Sequence, residues 1–359
     1  MKLSLYQRYL FREVLLATLM VLAAFLSLFG FFDLVAELKD VGQNGYALQH
    51  AALYVLLKLP GRAYELMPIA MLIGTLFALS TLARHSEITV LRASGVSTGR
   101  LLRSLFIAAL PFALLTFFIG EAVAPPAERM ASELRVRVTS GLVGGDFRTG
   151  LWVKDDLTFV NIKAVTPDVR LQGVRLYEFN KKYELLAVSD ASEGYFVPDQ
   201  GWRLREVVRT RVEGSSGRVE KEPEMLWSSA LTPDILSVLL VVPERMSILN
   251  LATYIKHLSV NKQKTERYEI ALWKKLVYPL ATLVMVALAL PFGYTHDRVG
   301  GVSLKIFGGI MLGIFFHMLN GLFSSLGIIH NWPPLGSAIA PSALFMLAAV
   351  LLIAWVVRR

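Results

Sequence analysis

Six stretches of this sequence are long and apolar enough to cross a lipid bilayer: Val14–Phe32, about 62–83, Leu101–Gly120, about 272–292, Leu304–Ile329 and Ser337–Val357. A spanning helix needs roughly 20 mostly apolar residues. No water inside the hydrocarbon can satisfy backbone N–H and C=O groups, so a spanning segment must be a helix or part of a closed barrel. Continuous apolar runs select helices. The charges lie elsewhere: most Asp and Glu fall between Glu121 and Glu269. The fold class expected is therefore membrane α-helical, with six spans split three and three by an inserted water-soluble all-β domain. The expected divisions are 1–125 for spans one to three, 126–268 for the inserted domain with helical connectors, and 269–359 for spans four to six. The first run is too long for the apolar core of a cleaved signal peptide, and no small-residue cleavage pattern follows it. It is expected to remain as an anchor.

The second run is unusual. From Ala51 to Ala83 a continuous helix would extend about 50 Å at 1.5 Å per residue, more than the hydrocarbon thickness. Its first half holds Lys58, Arg62 and Glu65 with Pro60, and Pro68 follows. That half reads as a kinked segment at the membrane surface or lining a cavity. The short loops give the orientation. One side carries Lys2, Arg8, Arg12, Arg84, Arg92, Arg100, Arg103, Arg298, Lys305, Arg358 and Arg359. The opposite short loops carry Lys39 and, between Ile329 and Ser337, no Lys or Arg. Both termini are expected on the cytoplasmic side and the inserted domain outside.

Within that domain the pattern changes twice. Glu128, Arg129, Glu133, Arg135 and Arg137 recur at near-helical spacing, which extends the third helix beyond the membrane. The period then becomes two. Leu151–Lys154, Thr158–Ile162, Val174–Phe179, Gly201–Arg205 and Val207–Val212 read as strands, separated by turn-forming Asp, Asn, Pro and Gly. Several short strands with no helix between them predict a sandwich or jelly roll. The stretch Ile248–Leu258 reads as a helix returning toward the fourth span.

Some chemistry has no support in the sequence. It has no Cys, which excludes disulfides and thiolate metal sites, and no G-x-x-x-x-G-K-[ST] phosphate loop. The six His, at 50, 85, 257, 296, 317 and 330, make no ligand-spaced pair. No catalytic residue, metal or cofactor is expected in this chain. The net charge of +9 is accounted for by topology and gives no reason to expect nucleic acid.

Three constellations remain. The first is the loop Leu82-Ala-Arg-His-Ser-Glu-Ile-Thr-Val-Leu-Arg-Ala-Ser-Gly95, helical in composition and stopped by Gly95. Helical spacing puts Leu82, His85, Ile88 or Thr89, and Arg92 on one face, and Arg84, Glu87 and Leu91 on another. It is either a solvated connector or a docking helix for a cytoplasmic partner, and composition does not choose. The second is the basic set Lys39, Lys58, Arg62, Arg135, Arg137, Lys274 and Lys275. By themselves these residues favour snorkelling anchors over sites for lipid phosphate, and Arg62 with Glu65 fits a plain i,i+3 pair. The third is the fifth-span glycines Gly308, Gly309 and Gly313. They suit ordinary close packing and a mobile seam against another subunit equally.

At the Leu82–Gly95 loop the sequence resembles the coupling-helix motif of the LptF/LptG family of lipopolysaccharide export permeases. Three further stretches resemble the family: Gly120-Glu-Ala-Val-Ala-Pro-Pro-Ala-Glu-Arg-Met130, Leu151-Trp-Val-Lys154 and Leu231-Thr-Pro-Asp-Ile-Leu236. The Trp and Pro-Asp motifs are more similar to the LptG branch. The resemblance covers about Tyr6 to Arg359. It implies a bacterial inner-membrane protein with a periplasmic β-jelly-roll, forming a heterodimer with an LptF-like permease. It also implies an LptB-like ATPase dimer on the coupling helices and an LptC-like single-span protein in the membrane. The substrate implied is lipopolysaccharide, entering through a lateral gate formed largely by the first and fifth spans.

Carried over by position, Glu87 matches the coupling glutamate, with Arg84, Leu91 and Arg92 around it. Lys39, Arg62 and Arg135 match or adjoin the family's basic positions and are expected to meet lipopolysaccharide phosphate, and Arg137 and Lys274, with Lys275, are expected to take up part of that role. Phe25, Phe29, Gly308, Gly313 and Phe316 are expected at the gate. The sequence departs from the family pattern in Asp33, Glu37 and Asp40, where relatives are often more basic, and in Ser132. A fixed phosphate-binding ring is therefore not carried over. The competing classes are a permease for another lipid or lipoprotein, a membrane receptor, and a lipid-modifying enzyme. The short cytoplasmic loops argue against the receptor, and the absence of paired in-membrane carboxylates or His argues against the enzyme.

Overall fold

The computed structural model describes residues 4–42, 46–138, 150–165, 170–198, 200–213, 216–229, 231–232, 243–260, 263–294 and 302–358. The elements in chain order are α1 (Leu5–Glu37), α2 (Leu48–Arg84), α3 (Glu87–Ala93), α4 (Thr98–Phe118), a π-helical turn (Ile119–Val123) and α5 (Ala124–Val138). Six strands follow: β1 (Leu151–Asp155), β2 (Thr158–Val165), β3 (Leu171–Phe179), β4 (Leu185–Val197), β5 (Gly201–Glu213) and β6 (Ser216–Trp227). The chain then forms α6 (Ile248–Val260), α7 (Glu266–Gly293), α8 (Val302–Ile329) and α9 (Pro334–Arg358). Among the described residues, six helices are long and apolar enough to cross a membrane.

The chain divides into two compact units. One is helical: 1–36, 55–128 and 266–359. Its core runs along α2 and α7, which are buried nearly all round. Val284 to Leu290 are consecutively buried on α7, as are Ile69 to Ile73 on α2. A helix apolar on every side belongs at the centre of a bundle. On α1 the buried residues are Leu10, Val14, Ala17, Thr18 and Leu22, a single stripe at helical spacing. The α1–α2 crossing is set by Gly74: a Cβ there would lie 2.5 Å from Thr18 Oγ1 and 2.6 Å from Thr18 Cα. Small residues let helix backbones meet in this way in a membrane, where apolar side chains gain little from leaving lipid.

The second run forms one unbroken helical element. α2 is one helix from Leu48 to Arg84 with Pro60 and Pro68 inside it. Membrane helices tolerate proline because neighbouring groups take up the freed carbonyls. The third span does continue as helix, through the π turn into α5. Pro125 and Pro126 lack the N–H groups that Glu121 and Ala122 carbonyls would accept, so the hydrogen-bond register slips there.

The second unit comprises 37–54 and 129–265. Among its described residues the β structure is a single antiparallel meander in the order β1 to β6. The two strands expected at Gly201–Arg205 and Val207–Val212 are one strand, β5. Glu206 has φ 53° and is left out of the pairing with both neighbours. The pairing register is the same on both sides of this gap, but the burial alternation shifts there, so that Trp202, Leu204 and then Val207 are buried. Gly173, with φ 62°, marks the same shift in β3, which starts three residues before the expected Val174. Two further strands, β4 and β6, carry no clear alternating sequence pattern. β4 is rich in Ser, Asp, Ala and Gly, residues that strands generally disfavour. β6 is a charged edge strand with Pro223 outside its pairing, a composition that protects a sheet edge. The Thr166–Asp168 turn and 233–236 of the Pro-Asp motif lie outside the described residues. The α6 helix matches the expected Ile248–Leu258 stretch and buries Leu251, Tyr254, His257 and Leu258.

Two outcomes follow. Gly74→Ala pushes α1 and α2 apart and is expected to cost about 1–3 kcal/mol, lowering the Tm of the detergent-solubilised chain; Gly308→Ala, where nothing lies within 4 Å, leaves it unchanged. Burial lowers the His257 pKa, and Asp155 partly opposes this. The folded state therefore prefers neutral His257, and its contribution is present above the ordinary histidine range and lost as pH falls through the depressed pKa. Thermal melts between about pH 8 and 5 are expected to show a loss on acidification that His257→Gln removes.

Candidate functional site

The loop between the second and third spans folds around one residue in a left-handed conformation. α2 ends at Arg84, Ser86 takes φ 61°, and α3 starts at Glu87. The continuous helical face expected from Leu82 through His85 to Ile88 is thus interrupted, because the chain turns at Ser86. The expected stop is a Schellman motif: Gly95 N–H donates to Arg92 O and Val96 N–H to Leu91 O, both 3.0 Å. Gly95 has φ 87°, which costs glycine little.

One residue of α3 is buried, Ile88. It seats against the end of α7, where a Cβ on Gly293 would lie 3.3 Å from Ile88 Cδ1 and 3.2 Å from Leu79 Cβ. The rest of the helix faces outward. Arg84, Thr89, Val90 and Arg92 are exposed, and Glu87 and Leu91 are half-buried. Two tyrosines hold this surface from distant parts of the chain. Tyr9 of α1 donates its hydroxyl to Glu87 Oε1 at 3.3 Å. The Arg92 guanidinium lies 5.1 Å from the Tyr294 ring centre. Neither tyrosine was identifiable as part of this site from the sequence, since neither lies near the loop in the chain. Of the four expected coupling residues, Glu87, Leu91 and Arg92 lie on α3, and Arg84 ends α2 before the turn.

The expected phosphate-binding residues are divided between the two units. In the helical unit, Arg62 forms a fork with Asp33: Nε to Oδ2 at 3.0 Å and Nη2 to Oδ1 at 2.9 Å. Its third nitrogen, Nη1, is 3.5 Å from Glu65 Oε2, and the guanidinium lies 5.8 Å from the Phe29 ring centre. Lys274 donates to the Asn320 carbonyl at 3.4 Å. In the other unit, Arg135 pairs with Glu37 at 3.2 Å and Asp40 at 2.7 Å, and its guanidinium lies 5.4 Å from the Tyr54 ring centre. Tyr46 donates to Glu37 at 3.1 Å; burial, then Glu37, push its phenol well above the ordinary tyrosine range. Lys39 is exposed on the turn after α1. The Arg137 side chain lies outside the described residues. Asp33, Glu37 and Asp40 are thus the partners of the two arginines expected to bind phosphate.

A third polar cluster was read only as separate residues. Lys275 is buried and lies 3.9 Å from Glu121 in the π turn. Tyr278 donates to the Glu65 carbonyl at 2.5 Å, and its ring lies 4.9 Å from that of Tyr64. Gly120 gives Tyr64 its space, since a Cβ there would lie 2.5 Å from the ring. Glu65 and Glu121, far apart in sequence, come close to one pair of tyrosines.

The five expected gate residues separate. Phe25 and Phe29 are neighbours on α1, with ring centres 6.4 Å apart. Gly308 faces open space. Gly313 faces inward instead, where a Cβ would lie 2.7 Å from Ile69. Phe316 is buried against Phe345 with ring centres 5.0 Å apart. Those two pack the chain's own bundle. The outward face of α8 is Leu304, Phe307, Met311, Phe315, Met318 and Leu322, a stripe at i,i+3/i+4 spacing. α1 bares Leu16, Met20, Leu28, Phe31 and Val35.

The family profile described as lipopolysaccharide export system permease LptF/LptG matches residues 8–355. The chain is similar to the Escherichia coli (strain K12) protein named lipopolysaccharide export system permease protein LptG, at 33% identity over 354 residues, 98% of this chain and 97% of that one. It is also similar to the Haemophilus influenzae protein of the same name, at 28% identity over 353 residues and 98% of each chain.

The seat of α3 depends on Ile88. Replacing Ile88 with Ala is expected to cost the seat about 2–5 kcal/mol. Hydrogen exchange should then speed up across Glu87–Ala93 and stay slow in the second half of α2.

Proposed function

The chain belongs to the LptF/LptG family of lipopolysaccharide export permeases, and on that premise we propose that it is one permease half of a transporter that extracts lipopolysaccharide from the inner membrane. Both termini and α3 face the cytoplasm, in keeping with the Lys and Arg of the short loops, and the β unit is periplasmic. An LptF-like permease is the other half of a heterodimer. An LptB-like ATPase dimer supplies the energy, and an LptC-like single-span protein joins in the membrane and passes substrate to a periplasmic bridge.

The observation that carries this reading is the construction of α3. A seven-residue helix with a single buried anchor presents a carboxylate, an arginine and an apolar residue, Val90, to the outside. A solvated connector does not need an exposed β-branched residue beside fixed charges. A helix that docks into a partner's groove does, because docking desolvates the apolar residue and pairs the charges. Force applied to α3 reaches α7 through Ile88 and α1 through Tyr9.

The energetics explain why a partner is required. Each CH₂ of an acyl chain gains about 0.8 kcal/mol in the bilayer, so a multi-acyl lipid leaves only if an apolar cavity takes over most of that burial. The bare stripes of α1 and α8 suit such a lining. The sequence carries no phosphate-loop motif, so the remaining work is assigned to the separate ATPase.

Purifying the full chain from membranes is expected to recover a second six-span permease and an ATPase with it; recovery of neither rules the export reading out. Glu87→Lys is expected to cut the recovered ATPase by about tenfold or more while the chain stays inserted. Equal recovery from wild type and variant counts against α3 as the docking element.

A further inference from the structure

The Arg62–Asp33 fork raises a question of selectivity. The apolar run Val14–Phe32 covers about 28 Å at 1.5 Å per residue, close to the hydrocarbon thickness. Asp33 is the first charged residue after it, so the fork sits at the level of lipid phosphates. Any bilayer offers phosphodiester headgroups at that level in large excess. A bare arginine there would be occupied by them continuously, because a guanidinium fork fits phosphate as well as carboxylate.

Arg62 is not bare. Each of its three guanidinium nitrogens faces a carboxylate, Nε and Nη2 on Asp33 and Nη1 on Glu65. The Arg62 and Asp33 side chains are 31% and 21% exposed, so the pair is within reach of a headgroup but is not dispersed in water.

We propose that Asp33 is a specificity-determining residue that occupies the Arg62 fork against phosphodiester lipids and yields it to a phosphomonoester on the transported lipid. The exchange is a competition between anions for one cation. A phosphodiester carries a single charge, as Asp33 does, but Asp33 is tethered and always at hand, so the diester loses. A phosphomonoester carries roughly 1.5–2 negative charges near neutral pH and three acceptor oxygens, which tips the competition. Glu65 raises the threshold for both, since its charge repels either anion. Displaced, Asp33 turns toward solvent. The inference rests on Arg62 being a lipid-phosphate contact in the export reading, and it assigns the acidic departure at Asp33 a role in discrimination.

The test uses the full-length chain in phosphatidylcholine nanodiscs with a benzophenone side chain in place of exposed Phe32. Phosphatidic acid, a monoester, and phosphatidylglycerol, a diester, are added at equal mole fraction, and crosslinked lipid is counted. Wild type is expected to favour phosphatidic acid by about tenfold. Asp33→Asn is expected to bring the ratio to about twofold by raising the phosphatidylglycerol signal, and Asp33→Glu to restore the preference. Arg62→Gln is expected to lower both signals to background. An unchanged ratio in Asp33→Asn, with Arg62→Gln still losing both lipids, overturns the role of Asp33 and leaves Arg62 as the contact. Loss of both lipids in a folded Asp33→Asn chain also overturns it, since Asp33 would then only orient Arg62. No preference in wild type and no effect of Arg62→Gln sinks the underlying assignment of Arg62 itself. Competition by millimolar inorganic phosphate that erases the phosphatidic acid signal marks a site for a soluble anion and overturns the lipid reading. If Asp33→Asn does not fold, Asp33→Ser takes its place with the same expected ratio.

Discussion

Every spanning segment of this chain must satisfy its backbone polar groups without water, and the helical unit is built on that requirement. Helices meet it internally, which leaves side chains to decide how the helices meet. Since apolar side chains gain little by leaving lipid for protein, contact depends on close fit. Gly74 against Thr18 and Gly313 against Ile69 are where backbone is brought near its neighbour. The same requirement explains the π turn: two consecutive prolines remove donors, and the helix shifts register there without stopping.

Charge is handled by the same logic. A guanidinium or carboxylate at a bilayer boundary is costly alone and tolerable when paired. Arg62 with Asp33, Arg135 with Glu37 and Asp40, and Lys275 with Glu121 are each cation and anion on different stretches of chain. Pairing makes such residues compatible with the membrane, and it also means that an incoming anion must compete for them. A basic residue in a lipid transporter is therefore defined by its counter-charge as much as by itself.

The helix α3 shows how a very short helix is held in place. Seven residues are too few for a stable isolated helix. α3 persists because the Schellman stop at Gly95 satisfies its final carbonyls, Ile88 seats on α7, and Tyr9 and Tyr294 hold its charged residues.

The sequence by itself determined the number of spans, the inserted β domain, the helical extension of the third span and the stop at Gly95. All of these depend on local properties: the length of an apolar run, a period of two, a near-helical recurrence of charge, a residue free to take positive φ. Periodicity failed where positive φ interrupts the pairing, at Gly173 and Glu206, and where polar composition masked β4 and β6. Tertiary structure alone decided that Gly313 and Phe316 turn inward while Gly308 does not, that Tyr9 reaches Glu87, and that Asp33 takes the fork of Arg62. These contacts join residues 78 and 29 positions apart in the two polar cases. A one-dimensional pattern gives the face a residue occupies on its own helix, whereas the packing of one helix on another decides what that face meets.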